Sequence, residues 1–134
     1  MPLAHIHADG ASFGNPGPAG IGVVVEMEGR TVEIAEPLGH ATNNIAEYSA
    51  LVRGLEEAQA MGATDVDVLL DAELLVRQVS GRYKVRNEGL RPLYEKVMVL
   101  LKGFKSYKVN HIPREQNRRA DALSKKGAET PFKK

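Results

Sequence analysis

The segment LAHIHADGASFGNPGPAGIGVVVEMEGRTVEIAEPL, residues 3–38, decides the fold. Three stretches in it are rich in β-branched residues or alternate in polarity, which is typical of strands; they are Leu3–Asp9, Gly20–Met27 and Thr31–Leu38. A Gly- and Pro-rich turn, Gly14–Pro18, separates the first two, and Glu28–Arg30 is a hairpin turn before the third. Because both connections are short, we predict an antiparallel meander of three strands.

After the meander the apolar spacing becomes helical. Asn44–Met61 carries apolar residues three and four positions apart, with Thr42 or Asn43 as the N-cap and Gly62 as the stop. The remaining pattern predicts two strands and three helices: strand Asp65–Asp71, helices Ala72–Ser80 and Leu90–Lys102, strand Tyr107–Ile112 and helix Arg114–Lys126. This alternation predicts an α/β fold with a five-stranded mixed sheet, the meander plus two parallel strands, flanked by helices.

Length and composition describe an ordinary globular chain. Its 134 residues match one domain without a repeat or a linker, which we place at residues 1–126, with 127–134 as a flexible tail. The absence of Cys excludes disulfides, thiolate zinc sites and a Cys nucleophile. Neither a secretory leader pattern nor a run of about 20 apolar residues is present, so we expect a cytoplasmic protein without a membrane anchor.

The charge is distributed unevenly. Residues 1–101 contain 8 Lys and Arg against 14 Asp and Glu, whereas residues 102–134 contain 10 against 3. Such asymmetry often marks a surface that binds a polyanion such as nucleic acid. A solvated, Lys-rich terminal segment would explain the charge equally well.

Four acidic residues stand where strands and helices meet. Asp9 and Asp71 end two predicted strands, Glu47 lies in the first turn of the long helix, and Asp121 lies in the last helix, four residues after Asn117. In open α/β sheets functional groups gather at the carboxyl ends of strands, so Asp9 and Asp71 meet there if their strands are neighbours. Each acid also has a structural alternative, because Asp commonly caps turns and Glu complements a helix dipole.

Converging carboxylates require neutralisation. Two unit charges about 4 Å apart repel by roughly 4 kcal/mol at an effective dielectric constant of about 20. The acids therefore either stay protonated or bind a hard cation, and ligand sets made only of oxygen favour Mg²⁺ or Mn²⁺ over zinc. Two such ions about 3.5–4 Å apart form a recognised device for cleaving phosphodiesters.

Four ordered motifs make this chain resemble type I ribonuclease H. They are Asp9-Gly10-Ala11-Ser12 with Asn15–Gly20, Thr42–Tyr48, Leu70–Val76 and Asn117–Leu123. The resemblance runs from the first strand to the last helix and implies a ribonuclease H-like fold. It also implies endonucleolytic hydrolysis of the RNA strand of RNA–DNA hybrids by two metal ions, leaving 5′-phosphate and 3′-hydroxyl ends.

The resemblance also assigns site residues. It places the metal-binding catalytic carboxylates on Asp9, Glu47, Asp71 and Asp121, with Asp9 bridging the two ions and Asp121 as the more mobile ligand. Only RNA offers a 2′-hydroxyl in a wide, shallow minor groove, and short polar groups can read it there. By resemblance those groups are Gly10, Ser12, Asn15, Asn43 and Asn44, while Thr42 and Asn87 match a pocket for a phosphate of the DNA strand.

Three features depart from the family pattern. Ala72 replaces the Ser that many members carry after the third acid. The loop before the last helix is compressed, so that Arg114 is a better candidate than His111 for the residue that assists turnover. The basic handle is absent between Arg82 and Leu90, and no hybrid-binding domain is expected before Asp9, so hybrid affinity should be low and steeply salt-dependent. We expect a monomer without an organic cofactor.

Two other functions stay open from the sequence. One is a metal-dependent nuclease that prefers duplex RNA or an RNA–DNA junction, since related folds serve several nucleases. The other is a hybrid-binding module without catalysis. The complete set of four acids argues against the second, because a module that only binds gains nothing from carboxylates placed beside phosphates.

Overall fold

The computed structural model describes residues 2–131. It contains five strands and four α-helices in the order β1 (Leu3–Ser12), β2 (Gly17–Met27), β3 (Arg30–Ala41), α1 (Asn43–Ala60), β4 (Asp65–Leu70), α2 (Glu73–Val79), α3 (Arg91–Lys102), β5 (Ser106–His111) and α4 (Arg118–Glu129). No helix of this described part of the chain combines the length and the apolar character needed to cross a membrane.

The strands form one mixed sheet in the spatial order β3-β2-β1-β4-β5. The first three pair antiparallel, as the short turns predict, while β4 pairs parallel with both β1 and β5. A parallel neighbour needs a crossover, and helices provide it on each occasion. The predicted five-stranded mixed sheet is therefore confirmed.

The main core lies between the sheet and α1. On the α1 side the sheet presents Ile6, Val23 and Val68, all without solvent exposure, against Leu51 and Leu55 of the helix. Gly54 allows this approach, because a Cβ there would lie 2.8 Å from Ile6 Cγ2. The apolar stripe predicted for the helix is thus the face that meets the sheet.

The opposite face of the sheet receives α4. Two glycines of β2 make the contact possible: a Cβ on Gly22 would lie 2.2 Å from the carbonyl oxygen of Ala120, and one on Gly20 would lie 2.1 Å from the nitrogen of Ala128. The alternation of Gly with Ile and Val in β2 therefore gives the strand one bulky face for α1 and one bare face for α4.

The terminal helix differs from its prediction at both ends. Instead of one helix from Arg114 to Lys126, a 3₁₀ turn (Arg114–Gln116) precedes Asn117, whose φ of −119° and ψ of 25° interrupt the helical path. The break accompanies burial of the Asn117 side chain, which donates to the carbonyl of Ala8 in β1.

The predicted boundary at residue 126 is also wrong. Helix α4 continues to Glu129, and Gly127 and Ala128 are buried against the sheet, so residues 127–129 are not a loose tail. The Lys-Lys-Gly sequence resembles a helix stop, but the close packing of Gly127 on the Glu36 backbone holds the last turn in place. Thr130 and Pro131 are exposed after the helix, and residues 132–134 of the predicted tail lie outside the described residues.

Candidate active site

Asp9 and Asp71 are brought together by the parallel pairing of β1 and β4. Their last paired residues are Ala8 and Leu70, and each is followed directly by one of the two acids. Asp9 does not end its strand as predicted, because β1 continues to Ser12 along β2. It instead stands at the point where the parallel partner stops, so that its side chain meets Asp71 at the sheet end.

Glu47 reaches the same place because Gly10 has no side chain. A Cβ on Gly10 would lie 2.3 Å from the carbonyl carbon of Ala46 and 2.4 Å from the nitrogen of Glu47. The start of α1 can therefore lie directly on β1, one residue after Asp9. Helix α1 begins at Asn43 with Thr42 as its cap, so Glu47 is in the second turn and not, as predicted, in the first. Its position is therefore explained less well by a helix-dipole role.

Asp121 approaches from the other face of the sheet, in the first turn of α4. Its two carboxylate oxygens face cations: Oδ2 lies 3.1 Å from Lys125 Nζ and Oδ1 lies 3.5 Å from Arg114 Nη2. Ser124 on the same helix is fully buried and donates to the Asp121 carbonyl, with its Oγ 3.4 Å from Asp9 Oδ2. The packing of α4 on the bare face of β2 therefore also sets the distance between Asp121 on the helix and Asp9 on β1.

All four acids line one cleft of about 480 Å³. Eight of the predicted site residues face it: Asp9, Gly10, Ser12, Asn43, Glu47, Asp71, Arg114 and Asp121. The remaining lining consists of Ala11, Phe13, Ala72 and Lys125. The geometry thus assembles residues from the two parallel strands, the start of α1 and the last helix, which lie up to 116 positions apart in the sequence.

The cleft holds more negative charge than its surroundings neutralise. Burial, followed by the charge of Asp71 and a side-chain hydrogen bond with Asp121, raises the pKa of Asp9 to about 8. Burial and the charge of Asp71 also raise the pKa of Glu47 to about 7, against a smaller opposing effect of Arg114. Near neutral pH the metal-free protein therefore keeps a proton on Asp9.

Asp121 behaves in the opposite way. Burial disfavours its ionised form, but the hydrogen bonds from Asp9 and Lys125 and the charges of Lys125 and Arg114 outweigh burial and lower its pKa. In the hydrogen bond between these two carboxyl groups, Asp9 is therefore the protonated donor and Asp121 the ionised acceptor.

The donor set fits a hard divalent cation. The cleft offers carboxylate oxygens and neither Cys nor His, a combination that suits Mg²⁺ or Mn²⁺. Within residues 2–131 no three acidic, His or Cys side chains are arranged to hold a metal ion as they stand. The Asp121 carboxylate instead accepts a hydrogen bond from Asp9 and forms ion pairs with Arg114 and Lys125.

Asn117 supports the site from below, a role that the sequence motif alone did not reveal. Its Nδ2 donates to the carbonyl of Ala8 at 3.0 Å and to Asp71 Oδ1 at 3.3 Å, and the residue is 1% exposed. Its Oδ1 is buried without a hydrogen-bond partner among the described residues. One amide therefore ties β1 and the carboxylate after β4 to the start of α4.

The predicted substrate contacts divide into two groups. Ser12 and Asn43 line the cleft, although the Ser12 hydroxyl donates to the carbonyl of Ala41, at the end of β3, at 2.8 Å. Asn15 stands next to them, because its Oδ1 accepts from the backbone nitrogen of Asn43 at 3.1 Å. Asn44 is exposed on the first turn of α1 and does not line the cleft.

Thr42 and Asn87, predicted to hold a DNA phosphate, both lie outside the cleft lining. Thr42 Oγ1 accepts from the nitrogen of Ile45 as the helix cap, and Asn87 Oδ1 accepts from the nitrogen of Gly89 at 2.7 Å. The structure therefore shows each residue in a local backbone role and leaves the phosphate pocket as a prediction.

Arg114 and His111 occupy different positions relative to the acids. Arg114 lines the cleft and is paired with Asp121, whereas His111 is exposed at the end of β5, outside the lining. This placement agrees with the preference for Arg114. Lys125 was missed by sequence reasoning, although its spacing of four residues after Asp121 on one helix was a signal that could have identified it.

The chain is similar to known proteins along nearly its whole length. A family model described as Reverse transcriptase-like matches residues 7–127. Bifunctional protein Rv2228c of Mycobacterium tuberculosis is 44% identical over 122 residues, which make up 89% of this chain and 34% of that protein. Ribonuclease HI of Halobacterium salinarum is 42% identical over 122 residues, 90% of this chain and 61% of that enzyme. The chain thus spans about one third of the mycobacterial protein and less than two thirds of the halobacterial enzyme.

Solved structures agree with the sequence comparison. The N-terminal RNase H domain of the mycobacterial protein, solved as a fusion with maltose binding protein, superposes with a TM-score of 0.89 at 40% identity, covering 95% of this chain and 99% of that one. LC11-RNase H1 in complex with an RNA/DNA hybrid superposes with a TM-score of 0.86 at 40% identity, and the match covers 96% of this chain and 97% of that one. Together with the four acids at the sheet end, these matches show that the chain belongs to the type I ribonuclease H family.

Proposed function

We propose that this chain is an endonuclease that hydrolyses the RNA strand of RNA–DNA hybrids and leaves 5′-phosphate and 3′-hydroxyl ends. The observation that carries the proposal is the cleft in which Asp9, Glu47, Asp71 and Asp121 converge with too few cations to neutralise them. Family membership supports the substrate, since one relative was solved with an RNA/DNA hybrid bound.

Asp9, Glu47, Asp71 and Asp121 would hold two Mg²⁺ or Mn²⁺ ions. When bound, the ions supply an activated water for attack on phosphorus and stabilise the charge on the leaving 3′-oxygen. The protein's own part begins with protons: Asp9 must lose its proton, and Asp121 must exchange its cationic partners, before either can act as a ligand. Metal binding is therefore accompanied by proton release.

Selection of RNA would depend on polar groups in and beside the cleft. Gly10, Ser12 and Asn43 line it, Asn15 lies next to Asn43, and Asn44 is exposed on the first turn of α1. Their short polar groups and backbone amides match a shallow minor groove with 2′-hydroxyls. Arg114 would assist turnover; its side chain is 72% exposed and paired with Asp121. Thr42 and Asn87 would hold a phosphate of the DNA strand. We further propose a cytoplasmic monomer without an organic cofactor, which fractionation and gel filtration can test.

The decisive experiment is incubation with end-labelled RNA–DNA hybrid, duplex RNA and duplex DNA, in Mg²⁺, in Mn²⁺ and in EDTA. We expect cleavage of the RNA strand of the hybrid with either metal and no product in EDTA. Preference for duplex RNA or for an RNA–DNA junction would favour another nuclease substrate. Binding without cleavage in either metal would identify a hybrid-binding module, and cleavage of duplex DNA or cleavage in EDTA would overturn the proposed mechanism.

A further inference from the structure

Lys125 is a cation in the cleft to which the proposed mechanism gives no task. It lies on α4 one turn after Asp121, with its Nζ 3.1 Å from Asp121 Oδ2. Half of its side chain, 51%, is exposed, so the ammonium stands at the mouth of the cleft and not in the core. An ion pair this exposed contributes little to folding stability, and therefore its position needs another explanation.

The charges of the cleft indicate what that explanation is. Among the twelve lining residues that belong to the described part of the chain, four are acids and two are cations, Arg114 and Lys125. In the metal-free protein both cations face Asp121. A phosphate backbone that entered this cleft would meet carboxylates on most sides, so it needs the same two cations that now neutralise Asp121.

We infer that Lys125 exchanges partners during the reaction. It neutralises Asp121 while the metal site is empty, and it binds a phosphate of the RNA strand beside the cleavage site once Asp121 serves as a metal ligand. A lysine suits this task, because its ammonium is a compact charge on a flexible stem with three donors that can be reoriented. The inference rests on the proposed function for the identity of the phosphate but not for the pairing with Asp121.

The exchange predicts two effects of opposite sign for Lys125→Met. Removal of the competing cation raises the affinity of the metal-free protein for Mg²⁺ by about two- to fivefold, because Asp121 is no longer paired with Lys125. Removal of a phosphate contact lowers hybrid affinity about five- to tenfold and reduces the slope of log K against log salt by about 0.9. A merely structural lysine would lower the melting temperature and leave both affinities alone.

The test compares wild type with K125M, K125R and the matched control K126M, which removes the neighbouring lysine outside the cleft lining. Calorimetric titration of the metal-free proteins with MgCl₂ measures the first effect. Fluorescence anisotropy with a labelled hybrid in Ca²⁺, over a series of salt concentrations and with a gel to show intact RNA, measures the second. We expect both changes in K125M, a restored salt slope in K125R, and values within twofold of wild type in K126M.

Three results would overturn the inference. Unchanged hybrid affinity and salt slope in K125M would remove the phosphate contact, and unchanged or weaker Mg²⁺ binding would remove the competition at Asp121. Equal effects in K126M would show a general charge effect. If wild type does not bind hybrid at any salt concentration, the proposed function fails, and the phosphate contact fails with it, while calorimetry still decides the pairing with Asp121.

Discussion

The parallel pair β1–β4 carries acids at both of its ends, and the two ends differ in environment more than in composition. At one end Asp65 is only half-buried and accepts hydrogen bonds from Ser106 and Thr64, which lower its pKa. At the other end Asp9 is buried beside Asp71, and its pKa is raised to about 8. A carboxylate at a sheet edge therefore becomes a reactive group through burial beside like charges.

Two asparagines that form the same pair of hydrogen bonds sharpen the comparison. Asn110 Nδ2 donates to the Asp67 carboxylate and to the Val68 carbonyl, and Asn117 Nδ2 donates to the Asp71 carboxylate and to the Ala8 carbonyl. Asn110 is half-buried on β5, whereas Asn117 is 1% exposed under the cleft. The same pair of hydrogen bonds thus stabilises an ordinary sheet edge in one place and orients a candidate metal ligand in the other.

Asp71→Asn and Asp65→Asn should have the most different outcomes. We expect Asp71→Asn to lower the cleavage rate by more than about 100-fold, because metal-ion stabilisation supplies several kcal/mol. The metal-free variant should be as stable as wild type or more so, because it lacks the Asp71 charge that disfavours ionisation of Asp9 and Glu47. Asp65→Asn should keep full activity. Cleavage assays with thermal unfolding in EDTA test the pair, and full activity of Asp71→Asn would exclude that residue from the mechanism.

The two asparagines provide the second contrast. Asn117→Ala should lower Mg²⁺ affinity by about 10- to 100-fold, as is typical when a ligand loses its supporting hydrogen bond, and should cost about 1–3 kcal/mol of unfolding free energy. Asn110→Ala should leave Mg²⁺ binding unchanged. Calorimetry and urea unfolding measure the two quantities. Equal Mg²⁺ affinity in both variants would show that Asn117 serves the fold alone.

The pH dependence of stability should also differ between the acids at the two ends of the β1–β4 pair. Because the pKa values of Asp9 and Glu47 are raised on folding, the folded protein retains protons that the unfolded chain has lost. Their stabilising contribution is complete below about pH 4 and is lost as pH rises through about 7 and 8. In EDTA the melting temperature should therefore fall as pH rises from about 5 towards 8, and it should level off above about pH 8.

Two controls assign that slope to the cleft. Asp9→Asn should flatten it, and Mg²⁺ should oppose it by replacing the protons. Asp65 contributes in the other direction, since its lowered pKa gives stability that is present above about pH 4 and lost only under more acidic conditions. A slope in EDTA that persists in Asp9→Asn would show that other groups cause it.

Arg114→Ala should have the smallest effect. We expect turnover of saturating hybrid to slow several-fold, while the unfolding free energy changes by less than about 0.5 kcal/mol, because the side chain is largely exposed. Arg118→Ala, at an exposed position outside the cleft lining, is the control for charge. A lower melting temperature with unchanged turnover would contradict the assigned role.

Local patterns were sufficient for most of the architecture. The short turns of residues 3–38 and the helical spacing of Asn44–Met61 predicted the meander and α1, since these features depend on neighbours in sequence. The break at Asn117 and the extension of α4 to Glu129 were not predictable in this way. Both depend on what the chain packs against, namely the Ala8 carbonyl and the backbone of β2 and β3.

The identity of the four acids, their order and the family were determined by the sequence alone, because the motifs are defined by residue types and by their spacing along the chain. Only the tertiary structure decided how those acids share charge: that Asp9 is protonated beside an ionised Asp121, that Lys125 joins Arg114 in the cleft, and that Asn117 supports Asp71. The physical reason is that burial and Coulomb interactions depend on distances in space. Strand pairing and the bare face of β2 set those distances across more than a hundred residues.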